Sequence, residues 1–271
     1  MKTEIKWARR SLMAATVTLT ASLMAPALVQ AETAEERGLA IATEADQRDN
    51  GFVDYKVGLT MTLRNSHQQQ TSRSMRNTTR EVRGDGDKSM IIFDNPRDVK
   101  GTAFLSHTHK LDTDDQWLYL PALKRVKRIS SSNKSGPFMG SEFAYEDIAS
   151  QEVEKYSYRY VGDEVLDGRD CYKVERFPAD PKSGYHRQVA WLDKTELRVW
   201  KVDFYDRKDE LLKTLTNSGY QQYLNKYWRP DQMDMVNHVT GKSTTLAFSD
   251  YHFAIGSNDM DFTSSRLKNA R

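Results

Sequence analysis

Alternation of apolar and polar residues, repeated along most of the chain, limits the possible fold more than any other feature of the sequence. Between residues 55 and 63, aromatic and aliphatic side chains occupy every second position, and the same period recurs at 155–160 and 200–205. A period of two is typical of strands with one buried face. Turn-forming residues such as Asp167-Gly168 separate these runs. The pattern predicts about eleven strands joined by short connections, and therefore one antiparallel meander.

Some of these strands have no polar side. Met90 to Phe93 and Trp117 to Leu120 are apolar at every position. Such a strand must be covered on both faces. We therefore expect a curved sheet with a helix in its hollow, and the space left in that hollow either holds a ligand or is filled by side chains.

One long helix is expected before the strands, from Thr33 to Asn50. Thr33 and Glu36 have the spacing of a capping box, and Asn50-Gly51 is a typical helix stop. From residue 51 onward the period changes from that of a helix to that of strands.

The N-terminus has the three parts of a secretory signal. Lys2, Lys6, Arg9 and Arg10 precede an uncharged stretch, and Val29-Gln30-Ala31 is typical of a signal peptidase site. We expect cleavage after Ala31, export to the periplasm, and a single domain over 32–271 that does not span a membrane. The formal net charge of the full chain is +2, and removal of the signal leaves it near neutral, which gives no basis for nucleic-acid binding.

The segment 130–146 interrupts the strand pattern. Its first half is polar, whereas its second half carries Phe138, Met139, Phe143 and Tyr145 at irregular spacing. Long segments without regular structure are often functional. Gly136 to Tyr145 is interpreted either as a flap over the mouth of a cavity or as a static plug.

No catalytic motif stands out. The sequence has no Gly-x-Ser-x-Gly elbow, no His-Glu-x-x-His and no phosphate-binding glycine loop. His107 and His109 lie on one face of a predicted strand, but chance proximity explains them better than a metal site. Cys171, the one cysteine, is expected in the core rather than as a nucleophile. We therefore interpret the chain as a binding protein, not an enzyme, that needs no metal or cofactor.

Candidate ligand contacts come from the aromatic strands and from the irregular segment. They share large apolar side chains in excess of what one core face needs, and they are Phe93, Phe104, Trp117, Tyr119, Phe138, Met139, Phe143, Trp191, Trp200 and Phe204. The period of two defines two faces without saying which one is concave.

The densest cationic run is Lys124 to Arg128. With a period of two, Lys124 and Arg128 would share one face, and Arg125 and Lys127 the other. These four side chains are candidates for contact with lipid head groups or an acidic partner. A solvated strand edge that is protected by its charges explains them as well.

Several segments resemble the outer-membrane lipoprotein-sorting protein family, the relatives of the periplasmic carrier LolA. The resemblance extends over 38–268 and is most distinctive at 93–96, 101–105, 115–129 and 135–148. It implies a mainly β fold with few helices, in which a curved antiparallel sheet forms a half-open β-barrel with helices on its concave side and acyl chains within.

In function, the resemblance implies a periplasmic carrier of lipid or acylated protein between the inner and outer membranes. Some relatives are thought to work beside inner-membrane exporters of the resistance-nodulation-division type. The alternative is an adaptor without cargo that docks on such a transporter, or on an outer-membrane protein, through the cationic run.

Overall fold

The computed structural model describes Met1 and residues 31–269, so the expected signal peptide and its cleavage site lie almost entirely outside the described residues. Residues 32–269 form one compact unit. Its α-helices are α1 (Ala34–Asp49) and α2 (Tyr145–Ile148). Its strands are β1 (Asp54–Arg64), β2 (Gln70–Arg80), β3 (Lys88–Asn95), β4 (Ala103–His107), β5 (Asp115–Leu120), β6 (Arg125–Ile129), β7 (Tyr156–Leu166), β8 (Arg169–Pro178), β9 (Tyr185–Asp193), β10 (Val199–Asp206), β11 (Leu211–Ser218), β12 (Gln221–Tyr223), β13 (Tyr227–Arg229), β14 (Gln232–Asn237) and β15 (Ser243–Phe253).

Thirteen strands form one curved antiparallel sheet. Their order is β6-β5-β4-β3-β2-β1-β15-β14-β11-β10-β9-β8-β7, and β12 pairs with β13 separately. The edges β6 and β7 do not pair with each other, so the sheet is an open barrel. The predicted mainly β class and curved sheet are confirmed. The number of strands exceeds the prediction because β4, β5, β6 and β14 are too short for alternation to delimit them.

Helix α1 begins as the sequence predicts. The Glu36 amide donates to Thr33 Oγ1 (3.1 Å), and the Thr33 amide donates to Glu36 Oε2 (2.8 Å), which completes the capping box. Ile41 is buried in the main core, so α1 covers the inner face of the sheet. Within residues 31–269, no helix is both long and apolar enough to cross a bilayer.

Gly38 sets how closely α1 approaches edge strand β7. A Cβ atom at this position would lie 2.8 Å from the Tyr160 backbone nitrogen and 2.9 Å from the backbone of Arg159. Neither of these atoms can move without displacing the strand. The glycine is therefore required by a backbone-to-backbone contact.

This contact predicts a reversal of the usual effect of glycine. In an ordinary helix interior, Gly→Ala stabilises by about 1 kcal/mol. We expect Gly38→Ala instead to lower the free energy of unfolding by about 1–3 kcal/mol, because the added methyl group overpacks the contact. Denaturant unfolding measures the change. Ala40→Gly, at an exposed position of the same helix, measures how much the Gly/Ala difference in helix propensity contributes by itself. A gain in stability from Gly38→Ala would contradict the contact.

Apolar residues on the two faces of the sheet belong to separate clusters. The inner face carries the main core, which includes Ile91, Phe93 and Leu118. The outer face of the same strands carries Met90 and Leu105, which pack with Phe262 and Leu267 of the C-terminal segment. The cover expected over the two-sided strands is thus α1 and 130–150 on the inside, and 259–269 on the outside.

Candidate functional site

A cavity of about 1250 Å³ lies between α1 and the inner face of the sheet. This volume exceeds the usual range of small-molecule pockets, about 300–1,000 Å³. Its apolar wall combines one side of α1 with inward-facing residues of the strands, among them Ile41, Ala42, Leu192, Val202, Phe204, Leu215, Met235 and Phe248. The hollow is therefore not completely filled by side chains.

Six of the predicted ligand contacts lie on the inner side. Phe143 and Phe204 line the cavity. Phe93, Phe104 and Phe138 are fully buried in the main core, and Met139 packs partly buried against it. These four side chains support the wall of the cavity and do not border the open space.

Three other predicted contacts face the opposite way. Trp117 and Tyr119 pack against the outer cluster around Leu105, and Trp191 packs with Cys171 and Val189 in a third cluster. Their neighbours in sequence point inward, so alternation directs these aromatic rings outward. The prediction that they line the cavity, or the core beneath it, is wrong.

Trp200 is displaced by a β-bulge. The register between β10 and β9 shifts between Val199 and Lys201, which takes Trp200 out of alternation with Val202. Its Nε1 donates to Asp193 Oδ2 (2.8 Å), and its ring meets Tyr220 edge-on at 4.9 Å. Trp200 thus stabilises the β9–β10 end and is not part of the cavity wall.

The segment 130–150 connects the edge strands β6 and β7 and packs against the inner face of the sheet. The Phe138 amide donates to the Phe143 carbonyl (2.7 Å), and the Tyr145 amide donates to the Gly136 carbonyl (3.1 Å). The Phe138 ring lies 5.2 Å from that of Phe104 and 5.5 Å from that of Tyr145. This geometry favours the plug over the flap, because the aromatic side chains fill the core and the backbone is tied to itself.

A buried ion pair holds this segment to the sheet. Lys213 Nζ lies 2.6 Å from Asp147 Oδ2 and donates to the Glu142 carbonyl (2.9 Å). The exposed fractions of the two side chains are 5% and 6%. Tyr185 Oη donates to Asp147 Oδ1 (2.9 Å), and burial together with the Asp147 carboxylate raises the pKa of Tyr185.

A second buried cation closes the cavity beside the end of α1. Arg229 Nη1 binds the Asp49 carboxylate, and its guanidinium lies 5.4 Å from the Phe52 ring centroid and 5.5 Å from that of Tyr55. Burial raises the pKa of Asp49, and the Arg229 charge only partly offsets this. The pair joins α1 to the β13 end of the site.

The sequence reasoning missed the polar residues of the cavity wall. Arg176 lines the cavity and donates through Nε to Gln188 Oε1 (2.7 Å). It is in phase with Val174, so a charged residue at an inward position of β8 was the available signal. Asp87 and Glu152, which also line the cavity, come from connections and carry no periodic signal.

The cationic run forms edge strand β6 and the turn before it. Lys124 lies outside the strand with a left-handed backbone (φ 49°), so it does not share a face with Arg128 as predicted. Arg125 and Lys127 are exposed on one face, and Arg128 on the other forms an ion pair with Asp115. Contact with a partner or a head group stays a prediction.

The two histidines of the predicted strand have separate partners. His107 Nε2 lies 2.7 Å from the Phe262 carbonyl oxygen, and His109 Nδ1 lies 2.8 Å from Asp85 Oδ2. The His109 hydrogen bond lowers the pKa of Asp85 to about 2. Among residues 31–269, no group of three or more His, Cys, Asp or Glu side chains is arranged to hold a metal ion.

A domain of an outer membrane lipoprotein-sorting protein from Vibrio parahaemolyticus is 56% identical, with a TM-score of 0.85, over 86% of this chain and 99% of that one. The chain belongs to the outer-membrane lipoprotein-sorting family. A family model described as an uncharacterized protein matches 85–269, and no curated protein matches.

Two further solved structures extend the likeness. A DUF1329 family protein from Desulfovibrio piger is 32% identical, with a TM-score of 0.82, over 87% of this chain and 99% of that one. A LolA superfamily protein from Nitrosomonas europaea shares the fold, with 22% identity and a TM-score of 0.68 over 87% and 99% of the two chains. The predicted membership of the outer-membrane lipoprotein-sorting family is confirmed by the Vibrio parahaemolyticus relative, and the LolA superfamily protein shows that the fold is shared.

Proposed function

We propose that this member of the lipoprotein-sorting family is a periplasmic carrier that holds the acyl chains of a lipid or lipoprotein, and not an enzyme. The observation that carries the proposal is the 1250 Å³ cavity, whose apolar wall is formed by α1 and the inner face of the sheet. Transfer of apolar surface out of water is favourable by about 25 cal/mol per Å², so an acyl chain is more stable in such a cavity than in water.

The openness of the sheet supports a role in transfer. Because β6 and β7 do not pair, the strands do not enclose the cavity by themselves, and α1 and connecting segments complete its wall. Release of cargo then requires movement of a helix or connection and leaves the main sheet intact. Export through a signal peptide cleaved after Ala31 is part of the proposal, and N-terminal sequencing of periplasmic protein tests it.

A bulky side chain on α1 should block binding. Ala42 lines the cavity, whereas Ala40 on the same helix is exposed. We expect Ala42→Trp to reduce binding of a fluorescent fatty acid at least about tenfold, because the indole occupies the acyl space. Ala40→Trp, the matched control, should bind as the wild type does.

If both variants bound the fatty acid equally and saturably, the acyl chain would have to bind at a place other than this cavity. No saturable binding in the wild type, together with no lipid in solvent extracts of natively purified protein, would overturn the carrier function.

The second candidate is a cargo-free adaptor that docks on an envelope transporter or an outer-membrane protein. Strand β6 favours it, because no strand within residues 31–269 pairs with its outer edge, and Lys124, Arg125 and Lys127 have exposed cationic side chains there. Replacement of these three residues by Gln separates the two candidates. Loss of a crosslinked envelope partner with unchanged lipid content would favour the adaptor.

A further inference from the structure

Asp87 and Glu152 line the cavity and form no ion pair with the described residues. Asp87 lies just before β3, and Glu152 lies just before the turn Val153–Lys155. The exposed fraction of Glu152 is 7%, and its carboxylate accepts no hydrogen bond from residues 31–269. Asp87 accepts a long hydrogen bond from Ser150 Oγ (3.4 Å) and one from the Val82 backbone amide, and neither donor carries a charge. A buried carboxylate that lacks a partner and faces a large cavity is complementary to a donor from outside the chain.

Three nearby cations already have other partners, and Arg83, which also lines the cavity, is exposed. Lys110 Nζ binds Glu154 Oε1 (3.1 Å), Arg229 binds Asp49, and Lys155 binds Asp114. The two Glu81 oxygens accept from the amides of Gly51 (2.6 Å) and Val53 (3.1 Å). Asp87 and Glu152 are thus a local excess of negative charge beside the apolar wall.

Both carboxylates have raised pKa values, because the site disfavours their charged forms. Burial and, to a smaller extent, the negative charge of Glu152 together raise the pKa of Asp87 to about 7. Burial also raises the pKa of Glu152, against the weaker opposite effect of Lys110. A cation that entered the cavity would stabilise both carboxylates, because an opposite charge nearby favours the ionised form.

We propose that Asp87 and Glu152 receive the ammonium group of a cationic amphiphile whose chain lies against the apolar wall of the cavity. The inference rests on the proposed carrier function and deepens it by assigning a head-group class. An ammonium donates up to three hydrogen bonds and carries the required charge. A carboxylate or phosphate head group at this place would be repelled by both side chains.

Displacement of a fluorescent fatty alcohol, an uncharged probe, from the purified protein by dodecylamine and by dodecanol tests the assignment. The two probes share a chain and differ in the charge of the head group. We expect the wild type to bind the amine at least about tenfold more tightly than the alcohol, because hydrogen bonds to charged groups are the stronger ones. Asp87→Asn and Glu152→Gln should each reduce that preference and leave alcohol binding unchanged.

Two controls separate a lost site from a lost fold. Each variant removes a charge that forms no ion pair within residues 31–269, so its thermal transition should stay equal or rise. Asp112→Asn makes the same charge change at an exposed position and should keep the amine preference. Equal binding of amine and alcohol to the wild type, or an amine preference retained in both variants, would overturn the head-group assignment and leave the carrier function standing. Failure of every probe to bind would overturn both.

Discussion

Phe138→Ala is expected to lower the free energy of unfolding by about 3–5 kcal/mol, the range for removal of a fully buried aromatic ring. The Phe138 side chain has no exposed surface, and its ring packs on Phe93 (6.1 Å between centroids) and Phe104 (5.2 Å). The surrounding strands belong to the continuous sheet and cannot collapse into the space that the ring would leave. Chemical denaturation measures the loss.

Met139→Ala is the matched comparison. Met139 adjoins Phe138 but is only partly buried, and its backbone has a positive φ of 52°. We expect a loss of about 1 kcal/mol, the centre of the distribution for point substitutions. If the segment is a static plug, the two neighbouring substitutions should differ by this much in their loss of stability. If Phe138→Ala left the thermal transition nearly unchanged and accelerated loss of bound lipid, the segment would be a gate instead.

Local sequence patterns predicted the positions of the helix and strands better than they predicted what each strand face packs against. The capping residues Thr33 and Glu36 act within one turn of α1, so its start could be derived from the sequence alone. Alternation in β1 likewise identified Val57, Leu59 and Met61 as one buried face. These inferences hold because each depends on residues a few positions apart.

Which face is concave depends instead on distant parts of the chain. Trp117 and Leu118 are equally apolar, and only the packing of Phe262 and Leu267 from the C-terminal segment makes the Trp117 face the outer one. The bulge at Trp200 likewise arises from pairing with β9. Four of the ten candidate ligand residues were misplaced for these reasons.

The polar wall of the cavity is the part least visible in the sequence. Asp87 and Glu152 are separated by most of the first half of the sheet and by the segment 130–150, and each looks like an ordinary surface residue of a connection. Folding brings them to one cavity, where Glu152 is buried and Asp87 half-buried. Their chemistry is created by desolvation, which a local sequence pattern does not encode.

Lys213→Met is expected to destabilise the protein by about 3–5 kcal/mol, because it leaves the Asp147 carboxylate buried without its cation. Lys213 is in phase with Leu215 on the inner face of β11, where alternation reserves the position for an apolar residue. Its ammonium is enclosed by Asp147, the Glu142 carbonyl and the rings of Tyr185 and Phe204, each 5.2 Å away. Without Lys213, the Asp147 carboxylate keeps the Tyr185 hydroxyl and the Ala144 amide as donors but has no charged partner.

The double variant Lys213→Met with Asp147→Leu should be more stable than Lys213→Met alone. A buried ion pair can be replaced by apolar residues at little cost, whereas half of the pair is expensive to keep. Lys173→Met, which breaks the more exposed pair with Glu164, should cost no more than about 1 kcal/mol. Equilibrium unfolding of the three variants measures the coupling between Lys213 and Asp147. If the effects of the two substitutions were simply additive, the ion pair would not be what holds the plug to the sheet, and the Phe138 core would have to hold it alone.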